Sequence, residues 1–196
     1  MELRKYEFAN IHLTIDVLPT RQYADVRDFR KEQVNMRRHD REITDKAELL
    51  EIMRKAQVCR LALNDEDGFP YILPLNFGVE ERDGKVILHF HSALEGRKLE
   101  LMARDNRASF EMDTKHRLQY FPDKGYCTYA YESVIGKGRL HMVPEEEKAA
   151  SLACLMDHYH PGQNAYFNPA AIPRTAVYCL EVESMTGKRK KPKPEQ

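Results

Sequence analysis

At 196 residues, with 42% hydrophobic and 32% charged side chains, the chain has the size and composition of one globular domain with room for appendages. A chain of this size buries roughly 70% of the surface it exposes when unfolded, so it can build a core without staples. Its 31 basic and 31 acidic residues cancel, which argues against a nucleic-acid binder or a protein selecting acidic substrates.

Cys59, Cys127, Cys154 and Cys179 form no CxxC pair, which argues against zinc and thioredoxin-type sites. They read as reduced, mostly buried thiols. The opening MELRKYEFANIHLTID has no apolar h-region, and no stretch reaches the ~20 apolar residues of a membrane span. A soluble, cytoplasmic protein is the expectation.

Residues 1–35 show no clean period and read as an arm packed on the main body or on a partner subunit. The first clear element is a helix over 45–56. Asp45 and Glu48 have capping-box spacing, and Leu49, Ile52, Met53 and Ala56 form one apolar stripe. A strand is predicted at 58–63, then a turn at 64–68. The run 69–79 is strand-like, but Pro70 and Pro74 restrict it to an edge or a bulge. Arg82-Asp-Gly84 makes a turn, and 86–91 alternates as a strand.

A short helix over 95–104 follows, then strands at 107–113, 127–135, 138–143 and 175–184. Pro144 opens a helix over 145–159 whose apolar stripe is Ala149, Leu152, Ala153 and Met156. The tail 188–196 is too polar to pack and reads as disordered. The domain proper is thus 36–187. Strands joined by short hairpins pair antiparallel, and closure into a barrel removes sticky edges. The expected class is mainly β: an antiparallel barrel with peripheral helices.

The most informative run is 86–104, VILHFHSALEGRKLELMAR. A strand ends at His91-Ser92, and a helix opens near Gly96-Arg97-Lys98. Its unpaired N–H groups and positive dipole end suit a phosphate. Arg97 and Lys98 add full charges, and Ser92 adds a hydroxyl. The same spacing also describes an ordinary helix start with solvated cations.

The run His91-Ser-Ala-Leu-Glu-Gly-Arg-Lys-Leu99, preceded by Pro70-Tyr-Ile-Leu-Pro-Leu-Asn-Phe77, resembles the FMN-binding split-barrel proteins related to pyridoxamine 5'-phosphate oxidase. Within them it is most similar to the nitroimidazole-resistance (Nim-type) branch. The resemblance covers about 36–190, including Arg60-Leu-Ala, Tyr131-Glu-Ser-Val-Ile-Gly136 and Thr186-Gly-Lys188.

It implies a six-stranded antiparallel split barrel, homodimeric, with FMN in each of two clefts at the subunit interface. Pro74, Leu75, Asn76 and Phe77 would line the isoalloxazine edge with their backbone. His91 and Ser92 would lie by the flavin, with His91 a candidate general acid. Arg97 and Lys98 would hold the phosphate, assisted by Arg60. Ser133 and Val134 would form cleft wall. The implied function is an FMN-dependent oxidoreductase reducing a small acceptor such as a 5-nitroimidazole. The alternative is a flavin, heme or deazaflavin binding, storage or sensing protein without turnover. The chain has no tryptophan, and its end lacks the Trp- and Arg-rich segment of true pyridoxamine-phosphate oxidases, which argues against vitamin B6 oxidation.

Competing readings are weaker. His89 and His91 share a strand face, yet no third metal ligand is evident, and His158 and His160 suit a helix end. No GxSxG elbow supports a hydrolase around Ser133. Lys188-Arg-Lys-Lys191 reads as a solvated tail rather than a nucleic-acid or lipid contact, and Tyr126, Tyr129 and Tyr131 as core or interface.

Overall fold

The structure, a computed structural model, describes residues 36–163 and 168–194, so the arm expected at 1–35 lies outside the described residues. A 3-10 turn at His39–Arg41 and strand β1 (Glu42–Ile43) lead into helix α1 (Lys46–Lys55). The Asp45 carboxylate accepts the N–H of Glu48 at 2.9 Å, the cap its spacing predicts. Leu49, Leu50, Ile52 and Met53 carry α1 into the core.

The remaining elements are β2 (Cys59–Asn64), β3 (Pro70–Leu75), β4 (Gly78–Arg82), β5 (Lys85–Ser92), helix α2 (Arg97–Arg104), β6 (Arg107–Phe121), β7 (Tyr126–Met142), helix α3 (Lys148–Tyr159) and β8 (Ala176–Lys190). Every strand pairing is antiparallel, in the order β3-β2-β6-β7-β8-β5-β4, with β1 added beside β8. β3 and β4 end the path without pairing to each other, so the barrel is open along that seam. β3 is an edge strand, the place its prolines require.

The sheet has eight strands, not the six of the implied barrel. The run 69–79 breaks at Asn76-Phe77 into β3 and β4. The two strands expected at 127–135 and 138–143 instead form the single strand β7 (Tyr126–Met142), running through Gly136 and Gly138, because a register shift against β8 absorbs the irregularity there. Inward residues of β2, β5, β6 and β8 — Leu61, Leu63, Leu88, Phe90, Phe110, Met112, Tyr178 and Leu180 — fill the core.

Two further expectations need correction. The buried residues of α3 are Ser151 and Leu155, rather than Ala149, Leu152, Ala153 and Met156. A 3-10 turn at Glu145–Glu147 delays the helix, and its backbone passes directly over β4. A Cβ on Gly78 would stand 2.7 Å from the Leu155 amide nitrogen, so only glycine allows this approach.

The basic tail is also structured as far as it is described. Lys188, Arg189 and Lys190 continue the ladder of β8 against β7. Arg189 bridges Glu48 and Glu132 at 2.5 and 2.7 Å, and the Gln119 amide grips the Lys193 backbone through both its atoms. The buried Glu132 carboxylate, the exposed Glu48 and a free ladder edge order a segment whose composition alone predicts disorder. Among the described residues, no helix is long and apolar enough to cross a membrane.

Candidate cofactor site

The corner between β5 and α2 is built as the run 86–104 predicts. β5 ends at Ser92, and α2 opens at Arg97 behind Gly96. Gly96 has φ +135°, a conformation other residues rarely adopt, and a Cβ there would meet nothing within 4 Å. No side chain caps α2, and the Leu99 N–H is spent on the Gly96 carbonyl at 2.9 Å, which leaves the N–H groups of Arg97 and Lys98 for a ligand.

Arg97 and Lys98 differ in their engagement. Arg97 is clamped by Asp65 of the β2–β3 turn, Nε to Oδ2 at 3.1 Å and Nη2 to Oδ1 at 2.5 Å. Lys98 has no side-chain hydrogen bond or ion pair among the described residues. Burial, and then the nearby Lys98 ammonium, lower the pKa of His91. The imidazole is therefore mainly neutral near pH 7. The Ser92 hydroxyl donates to the Ala93 carbonyl at 2.9 Å. It also faces the Tyr178 phenol, whose pKa burial pushes up to about 12.

The other predicted residues fall elsewhere. Arg60 on β2 pairs in register with Pro74 on β3 and Glu111 on β6, and its guanidinium binds Glu111 at 2.9 Å and Asp113 at 2.5 Å. It lies four residues before Asn64, roughly 13 Å along the strand from the turn that holds Arg97. Within the chain Arg60 therefore joins a carboxylate cluster and does not assist at the α2 corner. Ser133 stands opposite Asp113, on the same outer face as Arg60.

Val134 points inward, is fully buried and pairs with Met112 on β6 and Gly187 on β8. Leu75 packs against the core, while Asn76 is exposed in the break between β3 and β4. Phe77 is fully buried, tilted onto His158 at a centroid distance of 4.3 Å, and its N–H donates to the Tyr159 hydroxyl at 3.2 Å. The Phe77 ring and N–H are thus engaged with α3.

Sequence reasoning missed the polar network under α3. His89 is 4% exposed, with Nδ1 at 2.8 Å from the Ser151 hydroxyl and Nε2 at 2.9 Å from the Glu80 carboxylate. Arg82 grips Glu80 through two hydrogen bonds. Burial lowers the His89 pKa, and Glu80 offsets this only in part. The arrangement suits a neutral ring that donates to Glu80 and accepts from Ser151. It occupies both nitrogens that a metal would need. At the other end of α3, the Tyr159 hydroxyl donates to the Gln57 carbonyl and His158 bonds the Ala56 carbonyl. Alternation flags His89 as outward-facing, but nothing in the chain order connects it to Ser151.

An open antiparallel barrel with a bare helix N-terminus at the β5–α2 corner defines the split-barrel class. The family model for pyridoxamine 5'-phosphate oxidase matches residues 45–189, and the chain belongs to that family. A structure provisionally assigned to 5-nitroimidazole antibiotic resistance, from Bacteroides thetaiotaomicron, is 31% identical. It superposes with a TM-score of 0.65 over 76% of this chain and 86% of that one. The flavocytochrome Anf3 of Azotobacter vinelandii (19% identity, TM-score 0.66, 83% and 75% coverage) shares the fold. So does a FAD- and heme-binding protein of Mycobacterium smegmatis (19%, 0.67, 80% and 76%). A comparison with curated protein sequences gives no match.

Proposed function

We propose that the protein binds FMN and reduces a small acceptor, a nitroaromatic such as a 5-nitroimidazole being the best candidate. One observation carries the reading: an uncapped helix N-terminus beside Lys98 and His91, whose side chains make no hydrogen bond or ion pair among the described residues. A phosphate fits that corner. The N–H groups of Arg97 and Lys98 and the Lys98 ammonium would hold it, and the Ser92 hydroxyl lies at the rim. When bound, the flavin supplies the redox chemistry, accepting electrons from a donor and passing them on.

The residues of this chain position and tune. Asp65 keeps Arg97 turned toward the β2–β3 turn, so Lys98 carries the main charge contact. His91 stands close to Lys98 and can hold or release a proton at an imidazole nitrogen. Its lowered pKa leaves the ring neutral near pH 7 and a poor proton reservoir there, and this favours the non-catalytic binding reading over a general-acid role. A homodimer with the cleft between subunits fits the open seam and the exposed side chains of Ile72 and Ile135 on the outer face of β3 and β7. The likeness to the nitroimidazole-resistance structure supports the acceptor class.

The test is direct. The purified protein should show a flavin spectrum that dithionite bleaches, with FMN identified by mass. It should then oxidise NAD(P)H in the presence of a nitroimidazole. Bound flavin that never turns over would favour storage or sensing, and a colourless protein that FMN cannot reconstitute would end the proposal.

A further inference from the structure

On the β6–β7 ladder, Arg107 stands directly opposite Arg139, and Lys137 lies opposite Ser109 one pair along the same face. Like charges placed opposite one another on a sheet destabilise it unless something neutralises them. Asp105 takes Arg107, with Nε and Nη2 at 2.9 and 2.6 Å. Glu183 takes Arg139 at 2.8 Å. Glu183 is the residue that the register shift leaves without a partner on β7, so the bulge in β8 is what frees it for this contact. Lys137 has no hydrogen bond or ion pair among the described residues. The cluster thus keeps a net positive charge.

These side chains rim a groove of about 360 Å³, a volume typical of small-molecule sites. Its floor is made of the small residues Ala62, Ser109 and Gly138, and Asn64 and Pro70 form the opposite wall. Small residues leave the backbone open, and a serine hydroxyl lies among the cations. The groove reaches the β2–β3 turn, where Asn64 bonds Asp105 at 2.8 Å and the adjacent Asp65 holds Arg97.

We propose that the Arg107–Lys137–Arg139 groove binds a phosphate ester belonging to a dinucleotide. The inference deepens the flavin reading and rests on it for the identity of the dinucleotide. Lys137 supplies the uncompensated charge for a phosphate, while Arg107 and Arg139, turned onto Asp105 and Glu183, frame the groove. The phosphate has two possible sources: the second phosphate of FAD, or a phosphate of a nicotinamide dinucleotide electron donor.

The test uses the full chain as wild type, Lys137→Glu and Lys137→Arg, at about 50 mM salt to limit screening. Calorimetric titration with ADP is the primary readout, with FMN, FAD and NADPH titrated beside it. Lys137→Glu should weaken ADP by about tenfold, and Lys137→Arg should retain most of the affinity. Because Lys137 is exposed and unpartnered, both variants should melt as the wild type does.

A tenfold loss for FAD with FMN unchanged assigns the groove to a flavin dinucleotide. A loss for NADPH with both flavins unchanged assigns it to the donor. Equal binding of ADP, FAD and NADPH by wild type and Lys137→Glu overturns the proposal, as does no ADP binding by the wild type. A changed subunit association with unchanged ligand affinities also overturns it. If the wild type binds ADP through Lys137 but never binds FMN, the flavin reading fails while the groove stands.

Discussion

Replacing Lys98 by alanine should weaken FMN binding more than replacing Arg97. Spacing alone makes the two cations equivalent, but the structure does not. The Arg97 guanidinium is already committed to Asp65 through two hydrogen bonds, and that carboxylate is only 10% exposed. Turning Arg97 onto a phosphate would leave Asp65 unpaired. Lys98 faces no such competition. A charge-assisted contact to a phosphate is worth about 1.5–3 kcal/mol, so Lys98→Ala should raise the FMN Kd roughly 10- to 150-fold.

Asp65→Ala frees Arg97 and should lower the Kd, an effect that Asp65→Ala combined with Arg97→Ala should abolish. Quenching of flavin fluorescence at fixed ionic strength measures the wild type and all four variants, with melting curves as a control for folding. If Arg97→Ala costs more affinity than Lys98→Ala, the Asp65 clamp does not exist in the bound state and this reasoning is refuted.

Other expectations follow from the network under α3. Ser151→Ala strips a buried imidazole of its hydroxyl partner and should cost about 1–3 kcal/mol, seen as a fall in Tm of about 2–10 °C. An unchanged Tm would mean that water replaces the hydroxyl. Gly78→Ala drives a methyl into the backbone of α3 and should cost about 1–3 kcal/mol while speeding amide exchange in that helix. Exchange that speeds up evenly across the sheet would point to some other cause.

The stability of the chain should fall on acidification below the ordinary histidine value of 6.5, because His89 and His158 have lowered pKa values in the fold. Between the folded and unfolded values the unfolded chain binds more protons, so the contribution is whole above 6.5 and is lost as pH drops through the folded values. His89→Gln should flatten that part of a urea-denaturation pH profile. An unchanged slope would show that His89 does not titrate across folding.

Much of the fold is written in local patterns. The Asp45 cap, the α1 stripe, the alternation of β2 and β5, the prolines of edge strand β3 and the glycine-opened helix α2 each follow from neighbours in the chain. Period and capping act within a few residues, and these elements obey them. The β5–α2 corner proposed to hold a phosphate is legible for the same reason: β5, Gly96 and α2 are consecutive.

Tertiary structure decided the rest, because the deciding contacts join residues far apart in the chain. The choice between Lys98 and Arg97 rests on Asp65, whose carboxylate reaches α2 only once the β2–β3 hairpin forms. The face that α3 buries rests on Gly78 and on His89, 62 residues from Ser151. The resemblance implies that Arg60 assists at the phosphate, but register sets it against Glu111 and Asp113. The tail was read by its composition as unstructured, yet the β7 edge and two carboxylates order it. Local sequence determines which segments extend or coil. Which charges meet depends on strand register, and register emerges only when the whole sheet assembles.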